Sequence, residues 1–273
     1  MTQRIALVTG ASSGIGRATA QLLAENGYYV FAGARRLDRL EQIRSAQIEP
    51  IQLDVANEND INRLVDHIIS SRGQIDVLVN NAGHGQLGAI ECVSMEAAHR
   101  QFEVNVFGYA RAMQAVLPHM RKRRSGRIIN ITSVMGKIST PGFGWYAASK
   151  HAVEAITDAV RGEVLEFGIE VVLIAPGLIK TEFVPKQLDL LKTVAHPQAY
   201  QKIVDGLHTL LANEPRSPGP AIIAQAVLDA VTSPHPPVRH ALPLDSKMAV
   251  IARWLFGARF FAWVVRHQMK LNF

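Results

Sequence analysis

A chain of 273 residues that is 48% hydrophobic and 19% charged is long and apolar enough for one large α/β domain, which excludes a disordered or fibrous polymer. Its single cysteine, Cys92, rules out an internal disulfide or a cysteine-rich metal cluster and fits a reducing, cytoplasmic setting. The net charge of +6 points to an anionic ligand or surface, such as a phosphorylated cofactor or acidic lipid, while the basic residues form no aromatic-interleaved platform for nucleic acid.

Residues 4–9 predict a short strand, whose apolar part, Ile5 to Val8, is too short for the core of a secretory leader. Gly10-Ala-Ser-Ser-Gly-Ile-Gly16 follows at once and leads into a helical pattern at Ala18, Leu22 and Leu23. Strand, glycine turn and helix are the context a dinucleotide fingerprint needs. Gly10 permits the tight turn, Gly14 the close approach of backbone to phosphate and Gly16 the packing of helix on strand, with pyrophosphate at the helix amino terminus. Ser12 and Ser13 add hydroxyls. Residues 28–33 predict the second strand. At its end, where an acid would hold the ribose diol of NAD, the chain carries Arg35 and Arg36. A guanidinium holds a 2′-phosphate through paired hydrogen bonds, so NADP(H) is expected, with Arg35 the better candidate of the two.

Residues 50–55 predict a third strand ending in Asp54, which either accepts a hydrogen bond from an adenine amino group or caps the helix starting near Asn57. Residues 75–80 predict a fourth. It runs into Asn80-Asn81-Ala82-Gly83, where amides can bridge strands and small residues leave room for a cofactor. Residues 95–124 predict one or two helices, with the basic run 121–124 at a helix end and Ser125-Gly126 as the stop. Asn105 lies there in an apolar stretch and needs partners if buried. It either joins two helices or distorts its own so that a water can reach Lys150.

The run from Ile128 to Thr132 predicts a buried strand that delivers Ser133 at its carboxyl end, where open α/β sheets bind ligands. After a Gly/Pro-rich loop, Tyr146 and Lys150 fall four residues apart on a predicted helix and share a face. A free phenol titrates near about 10, and the neighbouring ammonium is expected to bring Tyr146 down and make it a usable proton carrier. Ser133 can hold a carbonyl or carbinol oxygen against it. Residues 169–175 predict a further strand, broken by Pro176-Gly177. Residues 180–220 are irregular, with helical stretches near 185–193 and 198–212 and apolar residues (Phe183, Val184, Leu188, Leu190, Leu191, Leu210) that either bury these helices or line a space for an apolar substrate. A helix over 221–231 and a strand over 238–243 follow. Residues 245–273 are dense in aromatics (Trp254, Phe256, Phe260, Phe261, Trp263), with Arg259, Arg266 and Lys270 at helical spacing. Arg253, Arg259 and Arg266 interrupt the roughly 20 apolar residues that a bilayer crossing needs. This basic amphipathic helix therefore lies at a membrane interface, or packs over the substrate mouth or another subunit.

Residues 9–16, the Asn80–Gly83 block, Asn105, Ser133, Tyr146-x-x-x-Lys150 and Pro176-Gly177 occur in the order and approximate spacing of the short-chain dehydrogenase/reductase family, which about the first 185 residues resemble. The resemblance implies an α/β fold, a Rossmann-type doubly wound parallel sheet flanked by helices over residues 1–244, with 180–220 covering the substrate and 245–273 as a helical extension. It implies a catalytic tetrad of Asn105, Ser133, Tyr146 and Lys150, with Tyr146 as general acid/base and Lys150 on the nicotinamide ribose hydroxyls. Gly10, Ser12, Gly14, Ile15, Asp54 and Asn81 would contact the cofactor, with Pro176, Gly177 and Thr181 near the nicotinamide. Ser13, Gly16, Arg35, Arg36, Val55, Ala82 and Gly83 complete the expected cofactor site, and no metal is expected. The chain most resembles the hydroxysteroid and retinol dehydrogenase branch. That likeness implies an NADP(H)-dependent oxidoreductase acting on a lipophilic alcohol, ketone or aldehyde as a homodimer or homotetramer. A 3-oxoacyl carrier-protein reductase shares these motifs but normally ends sooner, and a non-catalytic dinucleotide sensor usually lacks the tyrosine or lysine.

Overall fold

In the computed structural model, which describes residues 3–212 and 216–271, the apolar runs form β1 (Ile5–Thr9), β2 (Tyr29–Ala34), β3 (Ile48–Gln52), β4 (Val77–Asn80), β5 (Gly126–Ile131), β6 (Ile169–Pro176) and β7 (Arg239–Leu242). All seven pair in parallel, in the order β3-β2-β1-β4-β5-β6-β7. Side chains alternate between the two faces. Val8, Val79, Ile129 and Val172 meet α1 (Gly14–Glu25) and α9 (Ala221–Thr232) on one face. Leu7, Leu78, Ile128 and Val171 meet α3 (Glu58–Arg72), α5 (Gly108–Arg123) and α6 (Gly144–Val164) on the other. A sheet covered on both sides needs continuous apolar strands, which is what these runs are. Strand order reverses at β1 and β4, so a crevice opens at their carboxyl ends.

Several boundaries differ from the sequence reading. β3 ends at Gln52 because Asp54 Oδ1 accepts from Ala56 N at 3.0 Å and turns the chain. Asp54 therefore does not cap α3; Asn57 does, accepting from Asn59 N. The helical stretch from Met95 divides into α4 (Met95–Phe102), a π-turn (Glu103–Phe107) and α5. α5 stops at Arg124, which takes a left-handed φ of 50°, and Gly126 already belongs to β5. A short α2 (Leu37–Glu41) follows β2, while α7 (Phe183–Lys192) and α8 (Gln201–Leu211) form the excursion after β6. The tail helix α10 (Leu244–Gln268) is interrupted at Gly257, whose φ of 75° and ψ of −178° are not helical. By length and composition α10 is the one helix among the described residues that could cross a bilayer, with a mean hydropathy of 1.5. The break leaves 244–256 and 258–268, each well short of about 20 residues.

Candidate active site

The carboxyl ends of the central strands open into a cavity of about 1130 Å3. The glycine turn walls one end. Gly10 has a φ of 69°, and a Cβ there would stand 2.8 Å from Ala82 Cα, so only glycine fits. A Cβ on Gly16 would run into the Gly10 carbonyl, so this glycine packs α1 against the turn rather than against the body of the strand. Asn81 Nδ2 donates to the carbonyls of Thr9 and Gly10 at 3.0 and 3.3 Å, and Thr9 Oγ1 accepts from the amides of Asn81 and Ala82. The Asn80–Gly83 block and the turn are thereby one unit. Ser13, the N-cap of α1, makes no side-chain capping bond, and Gly14 and Ile15 of the first turn line the cavity. An anion is the natural partner for such a helix start. Arg35 and Arg36 both line the cavity, but Arg36 is the one held across the turn, donating to the hydroxyls of Ser12 and Ser13 at 3.1 and 3.2 Å.

Ser133 follows β5. Its Oγ accepts from Met135 N at 3.2 Å and donates to the Pro176 carbonyl at 3.3 Å, which fixes it where β5 and β6 end. Tyr146 and Lys150 are both buried on α6, with Nζ 5.9 Å from the phenol ring centroid and donating to the Ile131 carbonyl at 3.0 Å. The expected lowering of the phenol is not what the structure shows. Burial pushes Tyr146 up to about 12, against the pull of its hydrogen bond with Ser133. Burial also brings Lys150 down to about 7. Desolvation disfavours the charged form of each group. The phenol is consequently loaded with its proton at neutrality, while the amine beside it exchanges one there.

Asn105 sits in the π-turn, fully buried. Its Nδ2 donates to the His84 carbonyl at 2.8 Å and to Ser149 Oγ at 3.1 Å, and its Oδ1 accepts from His84 N at 3.0 Å. Ser149 Oγ in turn donates to the Tyr146 carbonyl at 2.7 Å. Asn105 thus bonds to a second helix and sits in a distorted stretch of its own, and π-turns recur at functional sites. Of the expected site residues, Gly16 and Asn105 stand behind the cavity wall and all the others line it.

α7 and α8 cover the far end, where Phe183, Val184, Leu190, Leu210 and Leu211 line the cavity and the Phe183 ring lies 5.8 Å from that of Tyr146. The cover is fastened across the glycine turn. Thr181 would meet a Cβ on Gly14 at 3.2 Å, and Glu182 pairs with Arg39 at 2.5 Å and Arg36 at 3.6 Å. Lys186, and then Arg39, hold the Glu182 carboxyl down at about 2. The tail closes the same end, since Phe261, Val265, Met269 and Leu271 join the apolar cluster around Phe143 and Tyr146. Several wall residues went unseen in the sequence, His84, Gln187 and Glu182 among them. Burial, then the charges of Arg35, Arg100 and Lys150, bring His84 down to about 4, so it is neutral at pH 7; its place directly after Gly83 is the only sign a sequence offers. Gln187 is 2% exposed with no hydrogen-bond partner for Nε2 among the described residues. It and Glu182 read as ordinary polar residues of a surface helix.

A cavity of this size, with a helix start, paired arginines and a glycine turn at one end, fits a nicotinamide dinucleotide. The sequence profile of the short chain dehydrogenase family matches residues 4–191. The chain is 35% identical over 270 residues to a 3-ketodihydrosphingosine reductase of Bacteroides thetaiotaomicron, covering 99% of this chain and 96% of that one. It is 34% identical over 252 residues to retinol dehydrogenase 8 of Homo sapiens, covering 86% and 80%. Among solved structures, a short-chain dehydrogenase from Streptomyces avermitilis superposes with a TM-score of 0.84 at 33% identity, over 93% of this chain and 92% of that one. A serine dehydrogenase complexed with NADP+ does so with 0.76 at 26% identity, over 88% and 95%. Likeness that runs unbroken from the glycine turn through Lys150, on a sheet that superposes almost end to end, makes this chain a member of the short-chain dehydrogenase family and an oxidoreductase with a dinucleotide site.

Proposed function

We propose that the protein is an NADP(H)-dependent enzyme that interconverts a lipophilic alcohol and its ketone or aldehyde. The observation that carries the substrate class is the wall beside Tyr146, built from Phe143, Phe183, Val184, Leu190, Leu210 and Leu211 and closed by α7, α8 and the tail. Two relatives whose names refer to a sphingoid ketone and to retinol fit that wall. Among the described residues, Gln187 is the one buried, unpartnered donor available there for a polar group on such a substrate.

A nicotinamide dinucleotide held by the glycine turn and Arg36 would supply hydride chemistry to the substrate carbon. Ser133 donates a hydrogen bond to the substrate oxygen and Tyr146, loaded at neutral pH, gives that oxygen its proton. The ammonium of Lys150 stabilises the phenolate left behind and returns a proton to it, drawing on solvent through the π-turn at Asn105. Arg35 and Arg36 take the 2′-phosphate, which a carboxylate at that place would repel. The same reading has the enzyme cytoplasmic, a homodimer through α4, α5 and α6, and peripheral at a membrane through α10.

The test is a panel of steroids, retinoids, long-chain aldehydes, sphingoid ketones and acyl thioesters with NADPH and with NADH, followed by loss of reduced-nicotinamide absorbance. Lipophilic carbonyls with NADPH are expected to turn over. Turnover restricted to acyl thioesters would transfer the chain to the carrier-protein reductases.

A further inference from the structure

The second half of α10 has two unlike sides. Phe261 and Val265 face the cluster around Tyr146. The opposite strip is exposed and aromatic: Phe256, Phe260, Trp263 and His267 follow one another with ring centroids 5.0, 6.1 and 5.9 Å apart. The strip crosses the Gly257 break at the Phe256–Phe260 contact, and Trp254, 80% exposed, continues it on the earlier side. Large apolar side chains left exposed together mark a surface that meets something apolar. Arg259 and Arg266, seven residues apart, lie along one flank between the two sides. From Ser246 to the end the sequence has no Asp or Glu, against Lys247, Arg253, Arg259, Arg266 and Lys270.

Beneath that flank a second cavity, of about 350 Å3, opens between the tail and the loop after β5. Lys137, His151, Arg253 and Arg266 line it above a floor that includes Phe261 and Val265, and among the described residues no Asp or Glu is in its wall. Lys137 also lies 3.4 Å from buried Glu154, but Arg239 already pairs with that carboxylate. Burial and the charge of Arg239 hold the Lys137 ammonium below its ordinary value, and an anion in the cavity would relieve both. Cations over an apolar floor, opening beside an exposed aromatic strip, match the layering of a bilayer surface, with phosphate outside and acyl chain within. A second copy of the chain fits poorly, because its tail would bring the same acid-free basic strip against this one.

We infer that the cavity lined by Lys137, Arg253 and Arg266 is a binding site for the phosphate headgroup of an anionic phospholipid, occupied while the Trp254–Trp263 aromatics enter the same bilayer. The inference takes its ligand from the peripheral-membrane reading of α10 and does not depend on the redox substrate. Docking in this way sets the cover of the substrate cavity against the membrane, a short path for a lipophilic carbonyl.

The experiment is co-sedimentation of the full-length protein with vesicles of phosphatidylcholine alone or of equal parts phosphatidylcholine and phosphatidylglycerol. Binding is expected to be at least about tenfold tighter to the anionic vesicles, each basic residue near such a surface contributing about fivefold. The double variant Lys137→Ala/Arg253→Ala should lose about tenfold or more on anionic vesicles, keep its affinity for neutral ones, and turn over a soluble carbonyl as the parent does. If that variant fails to fold, Arg253→Ala alone carries the test, with Arg253→Lys restoring binding. Arg259→Ala, on the flank but outside the cavity, should lose less. Equal binding to both vesicle types sinks the headgroup site and spares the peripheral reading, whereas binding to neither sinks both. An Arg259→Ala loss as large as that of Arg253→Ala would mean diffuse charge rather than a site. Displacement from anionic vesicles by inorganic phosphate at a concentration that leaves sodium chloride controls bound would assign the cavity to free phosphate and overturn the proposal.

Discussion

Tyr146 and Lys150 are shifted in opposite directions by the same burial, and their roles can be tested one at a time. Replacing Tyr146 by Phe removes the proton donor but not the wall it forms, so turnover should fall by about 10²–10⁴-fold while NADPH titration stays close to the parent; loss of cofactor binding instead would make the phenol structural. Lys150 acts as a cation, and the cation is lost as pH rises through about 7. Reductive kcat should therefore decline above that pH, and Lys150→Arg should move the decline upward, which a pH–rate profile reads directly. The linkage to stability has a defined sign. Because the folded value lies near 7 and the ordinary one is 10.5, the unfolded chain binds more protons between them, and stability rises with pH across that window. Urea unfolding at the two ends should show the rise in the parent and a flatter profile in Lys150→Met. For the cofactor, Arg36→Asp removes the residue held by Ser12 and Ser13 and should swing preference from NADPH toward NADH, measured as the ratio of kcat/KM values.

At the scale of elements, the glycine turn illustrates how a local pattern can be read and still be incompletely understood. The sequence indicates that Gly10 makes a tight turn; the folded chain adds that Ala82, in the loop after β4, stands 2.8 Å from where a Cβ would go. Gly10→Ala should therefore cost about 1–2 kcal/mol from its left-handed φ alone, show a lower Tm, and weaken dinucleotide binding, because the displaced Asn80–Gly83 block lines the same cavity. The π-turn is a second case. Asn105 was identifiable as an amide needing partners, but its partners, the backbone of His84 and the hydroxyl of Ser149, come from segments far apart in the chain. The third strand was misplaced because Asp54 bonds to Ala56 N and turns the backbone away, a short-range contact that apolar patterning does not register.

Over the whole molecule, the sheet places the site, and the proposed assembly runs through the long helices. Phe107 is 50% exposed at the junction of the π-turn and α5, within the surface assigned to the homodimer. Phe107→Asp should give a monomer by sedimentation equilibrium, and an unchanged mass would send the interface elsewhere. The sequence by itself determined the seven strands, the order of the long helices and a set of site residues nearly all of which line the dinucleotide cavity. Those features rest on alternation, glycine spacing and residue chemistry, which neighbours along the chain set. Only the tertiary structure decided the rest. Arg36 rather than Arg35 is held across the turn because Ser12, Ser13 and Glu182 converge on it. The phenol is raised rather than lowered because α6 buries it together with its amine. The tail covers the substrate end on one side and leaves its aromatics exposed on the other because Gly257 breaks the helix and the cluster around Tyr146 accepts Phe261 and Val265. Each of these is set by desolvation or by contact between distant segments, quantities that exist only once the chain has folded.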